Sequence, residues 1–247
     1  MERTSPGKPG AAFHRQRRPP QYPHMTTNAD PHNIADYAQN TCRLVPGLLD
    51  MRRMAALLLA EHTPFNGRVL VVGAGGGLEL KCFAEAQPGW HFEGVDPSSE
   101  MLQQARSTLG ELMSRIRLHE GYVDVAPQDP FDAASCLQTL HFTSAPERLR
   151  TLQEIHRRLK PRAPLVVMHL SFDQEPELRN AWLSRYAAFA TSSGVDPAKA
   201  QAGARAIGER LEILSPMQDE ELMRKAGFKR VSLFYAAFTF RGWVAYA

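Results

Sequence analysis

Five residues, Arg68-Val69-Leu70-Val71-Val72, form an apolar run that ends abruptly in Gly73-Ala74-Gly75-Gly76-Gly77, and helical patterning begins at Leu78. A short run without polar alternation reads as a strand covered on both faces. Glycines directly after it permit positive φ and a close approach of backbone to a ligand. Strand, glycine turn and helix together point to an open α/β sheet with a nucleotide-type site at the strand's carboxyl end.

The unit then repeats. Strands are predicted at 91–95, 116–120, 133–137 and 165–170, alternating with helices at 78–85, 99–109 and 146–159. Strands separated by helices give a Rossmann-like α/β fold with a mainly parallel sheet. Two alternating runs, 231–234 and 238–246, add a C-terminal antiparallel hairpin and bring the strand count to seven. The expected organisation is an extension at 1–24 and a single domain at 25–247. That domain holds a helical cap (33–62), a core (66–170), a helical insertion over the sheet edge (171–216), and a helix with the hairpin (217–247).

The formal charge of +3 over 247 residues invites a nucleic-acid partner, but residues 1–24 carry five of the 29 basic groups and one of the 26 acidic ones. Without them the chain has 24 basic and 25 acidic residues, a net charge of −1, so no direct nucleic-acid partner is expected. The extension contains Pro6, Pro9, Pro19, Pro20 and Pro23, lacks apolar periodicity and reads as disordered. A binding or targeting arm is the other reading of it, and Met25 is a candidate start. Cys42, Cys82 and Cys136 fit neither a disulfide framework nor a metal-ligand spacing, so no metal is expected and a reducing cytoplasm suits them. No run approaches the ~18 apolar residues of a membrane helix.

Nineteen residues after Gly77 stands Asp96, in Gly94-Val95-Asp96-Pro97-Ser98 at the end of the second strand. An acid there lies beside the glycine turn and accepts from both hydroxyls of a ribose. Dinucleotide sites show G-x-G-x-x-G, whose third glycine packs the helix beside a pyrophosphate. Here Leu78 holds that position and the glycine falls one residue earlier, at Gly77.

With G-x-G-x-G and a following acid, the segment from Arg68 to Leu170 resembles the core of the class I S-adenosylmethionine-dependent methyltransferases. The resemblance implies that S-adenosyl-L-methionine is the cofactor. Gly73, Ala74, Gly75 and Gly77 would then face its amino acid part and ribose, Asp96 and Pro97 the ribose, and Met101 the adenine. The family usually has an acid two residues before the first glycine, where this chain has Val71. It often reads Glu-Gly-Asp after the third strand, where this chain has Glu120-Gly121-Tyr122, so Tyr122, Val123 and Asp124 become the adenine-side candidates. Cys136 and Leu137, ending the fourth strand, would face the methyl group. Two roles fit His141 in Leu140-His141-Phe142: a catalytic base, since imidazole titrates near neutrality, or a group that orients the loop.

The ends of the chain and its insertion are similar to the carboxy-S-adenosylmethionine synthase branch and its methyltransferase relatives, which implies a homodimer formed through the insertion. That branch makes a carboxylated cofactor for tRNA wobble uridine modification, and bidentate arginine suits the added carboxylate. The corresponding position holds Ala204, with Arg205 next to it. Tyr37 and Arg43 from the cap, and Arg179, Trp182, Arg185, Tyr186 and Arg205 from the insertion, are candidates to cover the substrate, and the arginines suggest a small anionic methyl acceptor. Three readings follow: a small-molecule methyltransferase, a carboxylated-cofactor synthase, or a nucleotide-binding protein without catalysis.

Overall fold

A computed structural model describes residues 34–247, with side chains from Gln39 onward; the 1–24 extension lies outside the described residues. Seven strands form one sheet in the order β3-β2-β1-β4-β5-β7-β6. They are β1 (Arg68–Val72), β2 (His91–Asp96), β3 (Ile116–Glu120), β4 (Ala133–Leu137), β5 (Pro164–Leu170), β6 (Lys229–Ala237) and β7 (Phe240–Tyr246). The first five are parallel, and β7 runs antiparallel to both β5 and β6. The strand order reverses at β1, so a crevice opens between the carboxyl ends of β1 and β4, where open α/β sheets bind ligands.

Burial on both sides explains why β1 carries no polar alternation. Val69 and Val71 enter one core and Leu70 and Val72 the other. The first core lies beneath α2 (Leu48–Ala60), α3 (Leu78–Ala86) and α4 (Ser99–Leu109), and the insertion helices α6 (Pro176–Ser192) and α7 (Pro197–Arg210) extend it. The second takes residues from α5 (Ala145–His156) and α8 (Pro216–Lys225). The cap helix α1 (Ile34–Leu44) leads into α2 through Gly47, whose φ of +63° makes the break anticipated at Pro46-Gly47. Among the described residues no helix is long and apolar enough to cross a membrane.

Two boundaries differ from the sequence pattern. The helix expected to run to 159 stops at His156, because the chain turns to pair with the segment before β4: Phe131 donates to the Arg158 carbonyl and Lys160 to the Phe131 carbonyl. In the hairpin, Phe238 belongs to the turn rather than to β7, with φ of +48° and its ring exposed.

One buried ion pair fastens α8 to the rest. Arg148 of α5, fully buried, donates to Asp219 of α8 at 2.6 Å and to the Glu212 carbonyl at 3.0 Å. His169 of β5 lies 3.2 Å from the same carboxylate. Burial alone would raise the Asp219 pKa, but His169, Arg148 and a bond from Ser171 outweigh it and hold the group below its ordinary 3.8. Its contribution to stability is therefore present above that value and lost as pH falls through the folded pKa. Arg148→Met leaves the carboxylate buried without its guanidinium and is expected to lower the unfolding free energy by about 3–5 kcal/mol. Adding Asp219→Leu is expected to recover most of that loss, as read by urea denaturation at neutral pH.

Candidate functional site

The glycine loop is held from below by β2. The N–H groups of Gly73 and Ala74 both donate to the Val95 carbonyl at 2.9 Å, and that of Gly77 to the Ala74 carbonyl at 3.0 Å. Gly75 N–H donates to one oxygen of Asp96 and Ser98 N–H to the other, each at 2.9 Å. Gly73, Gly75 and Gly77 all have positive φ. A Cβ on Gly73 would stand 1.9 Å from Thr139 Oγ1, so the turn closes only with glycine there. Burial raises the pKa of Asp96, and the two N–H bonds partly offset it.

These bonds change the expectation that the loop offers its N–H groups to a ligand. Gly73, Ala74, Gly75 and Gly77 already donate within the chain, which suits a pyrophosphate poorly. Each oxygen of Asp96 accepts one N–H and keeps a lone pair for a further donor, as a ribose diol requires.

Next to Asp96 in the chain, a narrow apolar slot runs between Val72, Val95 and Pro97 on one side and Leu140, Phe142, Thr143 and Thr151 on the other. Its third wall is Gly121, Tyr122 and Val123. Arg158 fixes that wall from beneath, donating to the carbonyls of Asp124 at 3.1 Å and Ala126 at 3.5 Å. Of the cofactor candidates, Pro97, Tyr122 and Val123 line the slot, while the glycine loop and Asp96 are bonded to each other through Gly75 and adjoin its lining residues Val72, Val95 and Pro97 in sequence. Met101, Asp124, Cys136 and Leu137 do not line the slot. Met101 is half-buried in α4, Asp124 is exposed, and Cys136 and Leu137 sit in the two cores flanking β4, where burial pushes the Cys136 thiol up.

Two features at this edge were absent from the sequence reading. Gln138, directly after β4, has φ of +56°, a conformation rare outside glycine and concentrated at functional sites. Glu79, in the first turn of α3, is buried and accepts a hydrogen bond from Ser135 of β4, the residue paired with Val71 of β1. A carboxyl group therefore reaches the register of Val71 from the helix. Its burial raises its pKa to about 8, against the opposing effects of the Ser135 bond and Arg52.

His141 is buried, and its Nδ1 accepts the Leu170 N–H at 3.4 Å, which ties the turn after β4 to β5. Burial first, then the nearby His169 and Arg148, hold its pKa well below 6.5, so the ring is neutral. Phe142 and Leu140 line the slot while His141 does not.

The acceptor candidates divide. Arg179 donates to the Gly208 carbonyl and fastens α6 to α7. Tyr186 is buried against Phe240, Arg43 is half-buried in α1, and the side chain of Tyr37 lies outside the described residues. Ala204 points into the core, leaving Arg205 exposed. Trp182 and Arg185 share a second pocket with Ala236, Phe238 and Arg241. The last three residues come from the hairpin, 50 or more positions away in sequence, and no local pattern links them to α6.

Residues 69–162 match the family described as methyltransferase domain. The chain is 27% identical over 218 residues to the carboxy-S-adenosyl-L-methionine synthase of Chromohalobacter salexigens, covering 86% of this chain and 80% of that protein. Among solved structures it is similar to an O-methyltransferase family protein from Burkholderia thailandensis, with TM-score 0.61 and 14% identity over 85% of this chain and 58% of that one. It is also similar to human N-acetylserotonin methyltransferase in complex with S-adenosylmethionine, with TM-score 0.55 and 16% identity over 85% of this chain and 57% of that one. This chain spans less than two thirds of the length of either structure, and at such identities the likeness concerns the fold.

Glu79 generates a test. Its folded pKa of about 8 lies above the ordinary 4.5, so its contribution is complete below 4.5 and lost as pH rises through 8. Glu79→Gln keeps an acceptor for Ser135 and removes the titration. Between pH 5 and 9 the natural protein is expected to lose roughly 4 kcal/mol relative to the variant, measured by denaturant unfolding at each pH.

Proposed function

We propose that this class I S-adenosylmethionine-dependent methyltransferase transfers a methyl group to a small anionic acceptor held beyond the carboxyl ends of β4 and β5. The observation that carries the reading is the Asp96 carboxylate, fixed by the N–H groups of Gly75 and Ser98 and standing in the chain between Val95 and Pro97, which line an apolar slot. This arrangement fits the cofactor part by part. Asp96 is suited to the ribose hydroxyls, and Val72, Val95, Pro97 and Val123 to a purine face. Glu79, near the foot of the glycine loop, suits the cationic methionine end, because a nearby positive charge favours its ionised form.

When bound, S-adenosylmethionine supplies a sulfonium methyl group that is already electrophilic. The chain's task is then to align an acceptor and to exclude water. The buried, neutral His141 is engaged by β5, so the turn it stabilises, with the strained Gln138, shapes the reaction edge. An acceptor that arrives with an anionic or lone-pair nucleophile needs no base from the chain.

A second reading, synthesis of a carboxylated cofactor, is favoured by curated relatives of that name at 26–27% identity across more than four fifths of this chain. It needs a cation for the extra carboxylate. Ala204 is buried and Arg205 exposed, so that role would fall to other arginines, such as Arg185 or Arg241.

Titration calorimetry tests the cofactor assignment. S-adenosylmethionine is expected to bind and a nicotinamide dinucleotide not to bind. Asp96→Ala, checked for a native circular dichroism spectrum, is expected to weaken binding by about 10- to 100-fold through loss of charge-assisted bonds. Equal affinity in the variant, or tight binding of the dinucleotide, would refute the assignment.

A further inference from the structure

A second pocket, with about 650 Å³ of empty space up to its open mouth, lies between α6 and the β6–β7 hairpin. Its walls are Trp182 and Arg185 from α6, Ala236 from β6, Phe238 from the turn and Arg241 from β7. The Arg185 guanidinium carbon stands 4.4 Å from the Trp182 ring centre and that of Arg241 5.4 Å from the same ring. Among the described residues neither arginine has a carboxylate within ion-pair distance. Two like charges gathered at one indole without an acid between them repel each other, and an anion placed there relieves the repulsion.

The turn adds a second, independent feature. Phe238 takes φ of +48°, which costs a residue with a Cβ, and this conformation holds its large ring at the rim, edge-on to Phe189. Arg241 is braced in turn, donating to the carbonyls of Phe238 at 2.6 Å and Phe240 at 2.8 Å. Burial lowers its pKa, as expected of a half-buried cation without a counter-charge.

Position connects this pocket to the reaction edge. Phe240 pairs with Leu170 and Arg241 with His169, at the carboxyl end of β5, and β5 is the neighbour of β4. The hairpin is thus two strands from β4, roughly 10 Å at ordinary strand spacing.

We propose that the Trp182–Arg185–Phe238–Arg241 pocket binds a planar aromatic carboxylate, with its carboxylate between the two guanidiniums and its ring against Trp182 and Phe238. This names the acceptor class for the proposed methyl transfer and rests on that reading. Arginine's fork matches a carboxylate, and the aromatic walls favour a flat ring over an aliphatic chain.

The test uses the full chain and 4-hydroxybenzoate as probe. Trp90 and Trp243 are buried while Trp182 is half-exposed, so ligand at the pocket changes the emission of Trp182 selectively. A saturable change is expected, absent in Trp182→Phe and at least about tenfold weaker in Arg185→Met and Arg241→Met. The neutral 4-hydroxybenzyl alcohol is expected to bind about tenfold more weakly than the acid. No saturable change at millimolar probe, equal binding of the alcohol, or unchanged affinity in both arginine variants would overturn the proposal. Circular dichroism and S-adenosylmethionine titration on the same samples separate the two readings. Failure of the probe with cofactor binding intact removes only this pocket's assignment, whereas loss of cofactor binding in the natural chain removes the methyltransfer reading.

Discussion

The carboxylate of Asp96 is the joint on which the site turns. It ends β2 and accepts from Gly75 in the loop that follows β1 and from Ser98 at the cap of α4. Two strand–helix units are thereby locked at their common edge by one side chain. The cost of burying that charge is met by N–H donors that would themselves be orphaned otherwise. The same group that closes the loop retains acceptor capacity, and its chain neighbours Val95 and Pro97 line the slot. The glycine residues serve this closure: Gly73 makes room for Thr139, and Gly77 lets α3 approach Ala105 of α4.

Around this joint the charge is distributed unevenly. A carboxyl, Glu79, lies beneath the loop, and two unneutralised guanidiniums, Arg185 and Arg241, stand toward the hairpin. The first end suits a cation and the other an anion, the polarity that methyl transfer from a sulfonium to an anionic acceptor would use. The buried Arg148–Asp219 pair lies between α5 and α8 and keeps the helices that carry the far side of the sheet in register with β5. Burial, more than this pair, keeps the nearby His141 imidazole uncharged, since Arg148 lowers its pKa and Asp219 raises it.

The sheet was legible because its signals are local. Val69 to Val72 lacks polar alternation since both faces are covered, and the spacing from Gly77 to Asp96 follows from one strand–helix–strand unit. Site residues that depend on tertiary approach were not legible. Glu79 brings a carboxyl to the register of Val71, but from a helix and across to β4, so no strand motif reveals it. Arg241 and Phe238 meet Trp182 only after the chain has crossed α7, α8 and the hairpin. His141 illustrates the converse: sequence places an imidazole near the reaction edge, and only packing shows that its Nδ1 is taken by Leu170.

The most direct measurement is mass spectrometry of the small molecule released when the purified protein is denatured. S-adenosylmethionine or its demethylated product is the result that follows from Asp96 and a loop in which the N–H groups of Gly73, Ala74, Gly75 and Gly77 are already paired. Its carboxylated derivative would favour the synthase reading of the same site. A nicotinamide dinucleotide or another pyrophosphate-bearing ligand would contradict the account at its centre, since it would draw on loop donors of which Gly73, Ala74 and Gly75 are already taken by β2.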